Sequence, residues 1–79
     1  MSKDLLPLHM LPIGSIGKVI NLTSMGNVRR RMLDLGLIPD TEVEAVVKSP
    51  SGDPVAYQIR GAVIALRSEE ASKILIEKI

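Results

Sequence analysis

The chain of 79 residues contains no cysteine, no phenylalanine and no tryptophan, and Tyr57 is its one aromatic residue. Without cysteine, neither a disulfide nor a thiolate metal site can reinforce the fold. Single-stranded nucleic acids stack on aromatic side chains, and proline-rich peptides bind grooves lined by them. We therefore expect neither kind of partner, and a core built from Val, Ile, Leu, Ala and Met.

A strong net charge and a long hydrophobic run are also lacking. Ten basic and nine acidic residues leave a formal net charge of +1, which gives no overall field for polyanions. No segment approaches the roughly 20 apolar residues of a membrane span. The N-terminus does not resemble a secretory signal, because Pro7 and Pro12 interrupt it and His9 lies in its short apolar run. The sequence predicts a cytoplasmic protein without membrane insertion.

Reactive side chains are too few to suggest an enzyme. No nucleophile or acid–base pair stands out, and residues 14–18 have the wrong spacing for a phosphate-binding loop. We predict no catalytic residue, no cofactor and no strong metal site. Two weak metal candidates are His9, in an apolar segment, and the pair Glu42 and Glu44, which share one face of a strand. The alternative is a partly packed histidine and a solvated strand face.

The clearest structural signal is a short helix over residues 25–35. Its apolar side chains recur at the spacing of one helix face, namely Met25, Val28, Met32 and Leu35. Either Ser24 or Asn27 can cap this helix, because both side chains accept hydrogen bonds from free N–H groups of the first turn. Among the methionines, Met10, Met25 and Met32 suit either core packing or an adaptable docking surface, and we assign Met32 to the core.

A helix stop and a strand follow directly. Gly36 permits the left-handed residue that commonly ends a helix, and Leu37 then packs back against Met32 in a Schellman motif. Pro39 prevents the helix from resuming. The next residues alternate in polarity, which predicts a strand over 41–48 with a buried face of Val43, Ala45 and Val47.

The rest of the chain predicts four further strands, at 16–22, 55–60, 62–66 and 74–79. Gly17 marks a bulge or a close backbone approach. The turn at 49–54 makes a hairpin, and the apolar run 62–66 predicts a strand buried on both faces. Ser68 caps a helical turn over 68–73. Residues 1–4 are expected to be loose, and 5–12 to form an extended segment with one tight turn across the core. Five strands in so short a chain favour a bent or closed small barrel, which the first helix caps at one end.

Several segments in this order carry a family resemblance. They are RMLDLGL at 31–37 with Pro39 and Thr41, the turn at 49–54, Arg60-Gly61 before 64–67, Glu70-Ala71 before Ile74, and Leu8, Leu11, Gly14 and Gly17. Over nearly its whole length the chain resembles the ferrous-iron transport protein A (FeoA-like) family of SH3-like barrels. One departure is Asp40, where the family usually has glycine, so that either the turn is type I or some strain is accepted.

The resemblance implies a single FeoA-like domain over 1–79, mainly β, with an SH3-like barrel. It further implies a non-catalytic cytosolic accessory of bacterial ferrous-iron uptake that docks on the cytoplasmic GTP-binding domain of the membrane iron transporter. The alternatives are a regulatory partner of a metal-dependent transcriptional repressor and a weak transition-metal-binding protein.

The docking surface predicted for such a partner contains Met25, Arg29, Arg30, Leu37, Pro54 and Tyr57. Residues 29–31 are consecutive arginines, and on a helix they point about 100° apart, so they cannot all reach one flat surface. Arg31 is expected to lie along the barrel and pair with a carboxylate, such as Asp34 or one from the strands. Arg29 and Arg30 either contact the partner or belong to a solvated helix face.

Overall fold

The structure, a computed structural model, describes residues 5–79, and the looseness expected of residues 1–4 lies outside the described residues. Within residues 5–79, six antiparallel strands form one sheet in the order β1-β6-β2-β3-β4-β5. The elements in chain order are β1 (Leu5–Pro7), a 3-10 turn (Leu8–Met10), β2 (Ile16–Leu22), α1 (Gly26–Asp34), β3 (Glu42–Lys48), β4 (Val55–Ile59), β5 (Ala62–Leu66), α2 (Ser68–Ala71) and β6 (Ile74–Lys78).

One hydrophobic cluster lies inside this sheet, and its largest fully buried side chain is Tyr57. Strands from both halves of the sheet contribute to it, so the sheet curves around the cluster and confirms the mainly β, barrel-like prediction. The extra strand is β1, which pairs with β6 and uses part of the segment expected to be merely extended. The buried members are Leu8, Leu11, Val19, Leu22, Met32, Leu37, Val43, Ala45, Val55, Tyr57, Ile59, Leu66, Ala71, Ile74 and Ile76.

Helix α1 packs on the barrel through its C-terminal half. Met32 is its one fully buried side chain, and Leu33 and Leu35 pack beside it. The predicted apolar stripe is wrong at Met25 and Val28, which are 82% and 42% exposed, because the first turn projects beyond the barrel.

The capping prediction for α1 is also wrong. The cap position belongs to Met25, and no side chain bonds the free N–H groups of the first turn. Ser24 is buried, and its Oγ has no hydrogen-bond partner within residues 5–79. Ser24 lies one residue before the cap position.

The predicted helix stop is confirmed in detail. The Leu37 N–H donates to the Met32 carbonyl and the Gly36 N–H to the Leu33 carbonyl, both at 3.0 Å. These two bonds define a Schellman motif, with Gly36 at a φ of +98°. Leu37 and Met32 are both buried in the core cluster, so the motif anchors the end of the helix to the barrel.

Strand β2 pairs with β6 and shows why residue 17 is a glycine. A Cβ atom built at Gly17 would lie 2.6 Å from Cδ1 of Ile76, so the close approach at this residue is by a side chain and not by the backbone that was predicted. The register shift in this ladder lies between Val19 and Asn21 rather than at Gly17. The close approach and the bulge are therefore separate features of β2.

The β3–β4 hairpin is confirmed, since Lys48 pairs with Val55 across the turn at 49–54. Its register shifts between Ala45 and Val47, and this bulge moves Val47 to the outer face. Val47 is 55% exposed, so its predicted burial is wrong. Alternation read from sequence holds only up to the bulge.

Strand β5 is the edge strand of the sheet, next to β4. The prediction that it is buried on both faces is wrong, because Val63 is 63% exposed and Ala62 and Ala65 are exposed as well. Leu66 is its one fully buried residue. A continuously apolar run therefore marks an exposed edge here, not a central strand.

Candidate functional site

The first turns of α1 present apolar and cationic side chains to solvent. Met25 and Val28 are exposed apolar residues one helical turn apart, and Arg30 is exposed on the other side of the same helix, about 200° around its axis from Val28. A methionine thioether is flexible and polarisable, so it adapts to an irregular partner surface. We call Met25, Val28 and Arg30 the α1 face, meaning the exposed surface that surrounds the start of the helix and not one side of it.

The three arginines of α1 have different environments. The Arg29 guanidinium donates to the Leu22 carbonyl at 2.9 Å, which ties the helix to the end of β2. Arg31 forms an ion pair with Glu70 of α2, so its predicted pairing with a carboxylate is found, although the partner is neither Asp34 nor a strand residue. Arg30 has no bonding partner within residues 5–79. Of the three, Arg30 is the cation available to another molecule.

Helix α2 begins one residue earlier than predicted, so its predicted cap is wrong. Arg67 occupies the cap position, and Ser68 is the first helical residue. The Arg67 N–H donates to Oε1 of Glu70 at 3.1 Å, and the Ser68 N–H donates to Oδ1 of Asp53 at 2.8 Å. Carboxylates of Glu70 and Asp53 thus accept from the first two N–H groups at the start of α2, while the Glu70 and Ala71 N–H groups donate to the Arg67 carbonyl.

Glu70 connects these contacts. The hydrogen bond from the Arg67 N–H is the largest influence and holds the pKa of the Glu70 carboxyl below its usual range; burial opposes it, and Arg31 adds to the lowering. The Arg67 guanidinium lies 3.8 Å from Asp53 at the β3–β4 hairpin. A chain of polar contacts therefore runs from α1 through α2 to this hairpin.

A groove of about 560 Å³ lies between the two helices. It is lined by both signs of charge and by one apolar side chain of α1; its lining residues are Asn27, Val28, Arg31, Arg67, Glu69, Glu70 and Lys73. Because Val28 belongs to both the groove and the α1 face, the two surfaces are continuous. A partner can thus contact apolar and charged groups together.

The structure separates the predicted docking residues into two groups. Met25, Arg29 and Arg30 lie together at the start of α1, and Pro54 lies half-buried in the hairpin next to Asp53. Leu37 and Tyr57 are fully buried in the core cluster, so their side chains offer no area to a partner, and we omit both from the proposed docking surface.

Sequence reasoning missed Val28 and the residues that α2 adds to the groove. Val28 had the spacing of a core residue, and nothing in the pattern showed that the first turn extends beyond the barrel. The carboxylate of Glu70, two residues after Ser68, was a detectable signal for a role at the start of α2. Its partner Arg31 is 39 residues away and required the fold.

The metal candidates remain apart. Among residues 5–79, no three His, Asp or Glu side chains lie close enough to hold a metal ion. His9 is exposed in the 3-10 turn, whereas Glu42 and Glu44 lie on β3 beside Arg60. In the described part of the chain, no helix is both long enough and apolar enough to cross a bilayer.

Comparison with known proteins gives matches over nearly the whole chain. A curated relative from Porphyromonas gingivalis, an Fe(2+) transport protein A/Fe(2+) transporter FeoB fusion protein, is 32% identical over 72 residues, which are 91% of this chain and 8% of that protein. The chain thus spans a small part of this relative.

Among solved structures, an FeoA-like protein from Clostridium acetobutylicum is 38% identical, with a TM-score of 0.89, covering 100% of this chain and 91% of that one. A zinc complex of Stenotrophomonas maltophilia FeoA, described as a prokaryotic SH3 domain protein, is 28% identical, with a TM-score of 0.80, covering 89% of this chain and 87% of that one. The fold is thus SH3-like. The profile of the FeoA domain matches residues 6–78, and the chain belongs to the FeoA domain family.

Proposed function

We propose that this chain is a non-catalytic, cytoplasmic accessory protein of ferrous-iron import that docks on the cytoplasmic GTP-binding domain of the membrane iron transporter. Ferrous iron is the cargo of the transporter in this proposal and is not held by the chain. The observation that carries it is the α1 face, a solvent-exposed apolar and cationic surface on a chain whose described residues form no metal-binding cluster.

The fusion relative supports association with the transporter. In that protein, a segment 32% identical to this chain belongs to the same polypeptide as FeoB. Fusion keeps two domains at a high effective concentration, and an interaction between them benefits directly from such linkage. Without such linkage, an FeoA domain has to reach the same partner by surface complementarity.

The chemistry of the α1 face favours a partner that offers an apolar recess and carboxylates. Met25 supplies a flexible apolar anchor that is 82% exposed. Arg30 follows five residues later on the same helix and has no internal partner in residues 5–79, and Met and Arg are both enriched at protein interfaces. The adjoining groove, with Arg31 paired to Glu70, adds a polar rim.

A titration of the isotopically labelled full chain with the transporter's GTP-binding domain tests the proposal. Amide signals of residues 25–31 should shift, and the charge reversal Arg30→Glu should weaken binding about tenfold, because it places a carboxylate against an acidic partner surface. Met25→Ala should weaken binding similarly by removing the apolar anchor.

Two matched variants serve as controls. Met10→Ala removes another exposed methionine, on the 3-10 turn, and Lys48→Glu reverses another exposed cation, on β3; both should bind as the unaltered chain does. Equal loss in Met10→Ala and Met25→Ala would contradict the assignment of the α1 face. If the chain does not bind the GTP-binding domain in either its GTP-loaded or its GDP-loaded form, but does bind a metal-dependent repressor, the repressor replaces the transporter as the partner.

A further inference from the structure

The sheet has one edge that is unpaired within residues 5–79. Strand β5 ends the strand order, and its backbone ladder runs to β4 alone, from Ala62 opposite Ile59 to Leu66 opposite Val55. No turn or loop in the described part of the chain bonds to the backbone of β5. An unpaired row of N–H and C=O groups is a template for another strand.

The tight turn before β5 fixes which backbone groups face outward. Arg60 and Gly61 both have positive φ, 51° and 84°, as a two-residue type I′ turn requires. The flanking pair Ile59 and Ala62 is therefore hydrogen-bonded, and bonded pairs alternate along an antiparallel ladder. It follows that Val63 and Ala65 direct their N–H and C=O groups to the free edge.

The two outer strands of the sheet differ in their protection. Natural edges are shortened, or carry proline, charges or bulges that discourage pairing. Strand β1 is three residues long and includes Pro7. Strand β5 has five residues, without proline or charge, in a register without a bulge. The protective features of β1 are thus missing from β5.

We propose that β5 pairs with β5 of a second copy of this chain, antiparallel and centred on Ile64. In this register Val63 lies opposite Ala65 of the second copy, and Ala65 opposite its Val63. Each of these pairs exchanges two backbone hydrogen bonds, so all four outward groups of each chain are satisfied. A register shifted by one residue in either chain would point bonding groups away from each other.

Side chains and charges agree with this pairing. On the outer face, the exposed Val63 of each chain contacts the exposed Ala65 of the other chain, which makes two apolar pairs. On the inner face, the half-buried Ile64 side chains of the two chains contact each other. The nearest cations are Arg60 and Arg67, which lie opposite Ser68 and Gly61 of the second copy, so no cation faces another directly. A contact of five residues per chain buries far less than the roughly 1,200 Å² of stable interfaces, and a dissociation constant of the order of 100 μM is expected.

Sedimentation of the full chain from about 20 μM to about 1 mM tests for the dimer. Hydrogen exchange then locates it: amides of Val63 and Ala65 should gain protection with concentration, whereas those of Ile64 and Leu66, bonded to β4, should be protected throughout. Val63→Lys should raise the dissociation constant about tenfold or more, because it removes two apolar contacts and brings charge to the edge.

Val47→Lys is the matched control, since Val47 is a similarly exposed valine of the sheet and lies on β3, away from the edge. It should dimerise as the unaltered chain does. A chain that stays monomeric to about 1 mM would overturn the proposal, as would a dimer whose Val63 and Ala65 amides remain unprotected. The exchange measurement on the unaltered chain decides the question even where Val63→Lys impairs folding.

Discussion

The Glu70 carboxylate accepts a hydrogen bond from the Arg31 guanidinium, so one ion pair joins α2 to α1 across 39 residues of sequence. The same carboxylate accepts from the Arg67 N–H at 3.1 Å. Ion pairs at a protein surface are individually weak, but this one also satisfies a helix N-terminus. Glu70 therefore holds both the start of α2 and the wall of the groove between the helices.

Replacement of this carboxylate should make stability less dependent on pH. The lowered pKa means that ionised Glu70 stabilises the folded state fully above the unfolded value near 4.5, and that this contribution is lost as pH falls through the folded value. Glu70→Gln should cost about 0.2–1 kcal/mol at pH 7, and the difference from the unaltered chain should shrink toward pH 3. Urea unfolding followed by circular dichroism measures both.

Glu69→Gln is the control for this measurement, because Glu69 lies in the same first turn and its carboxylate has no ion pair within residues 5–79. At pH 7, Glu69→Gln should lower the free energy of unfolding less than Glu70→Gln does. An undiminished difference between Glu70→Gln and the unaltered chain at pH 3 would show that the ionised carboxylate is not responsible.

Packing of Gly17 against Ile76 gives a second prediction. Gly17→Ala should destabilise the fold by about 1–3 kcal/mol, since its Cβ would lie 2.6 Å from the Cδ1 atom of a fully buried side chain. Ile76→Val removes that methyl group at a cost of about 0.5–1.5 kcal/mol. Urea unfolding of both single variants and the double variant gives the coupling.

The destabilisation of the double variant should be smaller than the sum of the two single destabilisations by about 0.5 kcal/mol or more. Simple additivity would mean that the Cδ1 contact does not account for the glycine. Ile74→Val is a suitable comparison, because Ile74 is another buried isoleucine of β6 and does not lie against Gly17. It should combine with Gly17→Ala additively.

Local signals predicted the parts of the fold that local chemistry determines. Gly36 and Leu37 indicated the Schellman stop because a left-handed glycine followed by an apolar residue has few other solutions. The hairpin at 49–54 followed from its density of turn residues, and a close approach at Gly17, though not the side chain that makes it, from the absence of a side chain inside a strand. Each of these depends on residues within a few positions of one another.

The sequence-based predictions were wrong where contacts between distant parts of the chain determine whether a residue is buried. The bulge before Val47 depends on how β3 pairs with β4, and the exposure of β5 on its place at the end of the sheet. Tyr57 alternates in sequence as a strand residue must, but alternation does not tell which face is inside. For the candidate site, sequence located Met25 and Arg30 but not the Arg31–Glu70 pair that shapes the adjoining groove.

Asp40 gives a third prediction, from a strained turn. Its φ is +75°, and the Thr41 N–H donates to the Ile38 carbonyl at 3.1 Å, as in a type II turn with Pro39 at the second position. The type I alternative is therefore wrong, and the chain accepts left-handed geometry at a non-glycine residue. Asp40→Gly should stabilise the fold by up to about 1 kcal/mol, which urea unfolding measures.

Asp40→Ala is the informative comparison. Alanine cannot hydrogen-bond its own backbone as aspartate can, so it tolerates the left-handed region less well and should destabilise the fold relative to Asp40. Stability in the order Gly, Asp, Ala at this position would establish the strain. If Asp40→Gly unfolded at lower urea concentration than the unaltered chain, backbone strain would not be the dominant effect there.

Tyr57 gives a fourth prediction, which a chain with a single tyrosine makes easy to read. Burial raises the pKa of its hydroxyl to about 12, and the negative charge of Asp53 acts in the same direction. Because the neutral form is favoured in the folded state, the contribution of Tyr57 to stability is complete below the unfolded pKa of about 10 and is lost as pH rises toward 12. The phenolate absorbance should therefore show a native midpoint well above 10 and a midpoint of about 10 in concentrated urea.

Asp53→Asn separates the two causes, since it removes the charge and keeps an oxygen for the Ser68 N–H. Because burial is the larger cause, this variant should lower the native midpoint only slightly. A midpoint of the Tyr57 titration near 10 in the folded chain, with the circular dichroism signal retained, would mean that solvent reaches the hydroxyl. Tyr57 would then not be a buried core residue. Leu37, the other docking candidate in the core, has no such spectroscopic signature, so this titration tests directly whether the Tyr57 side chain is inaccessible to a docking partner.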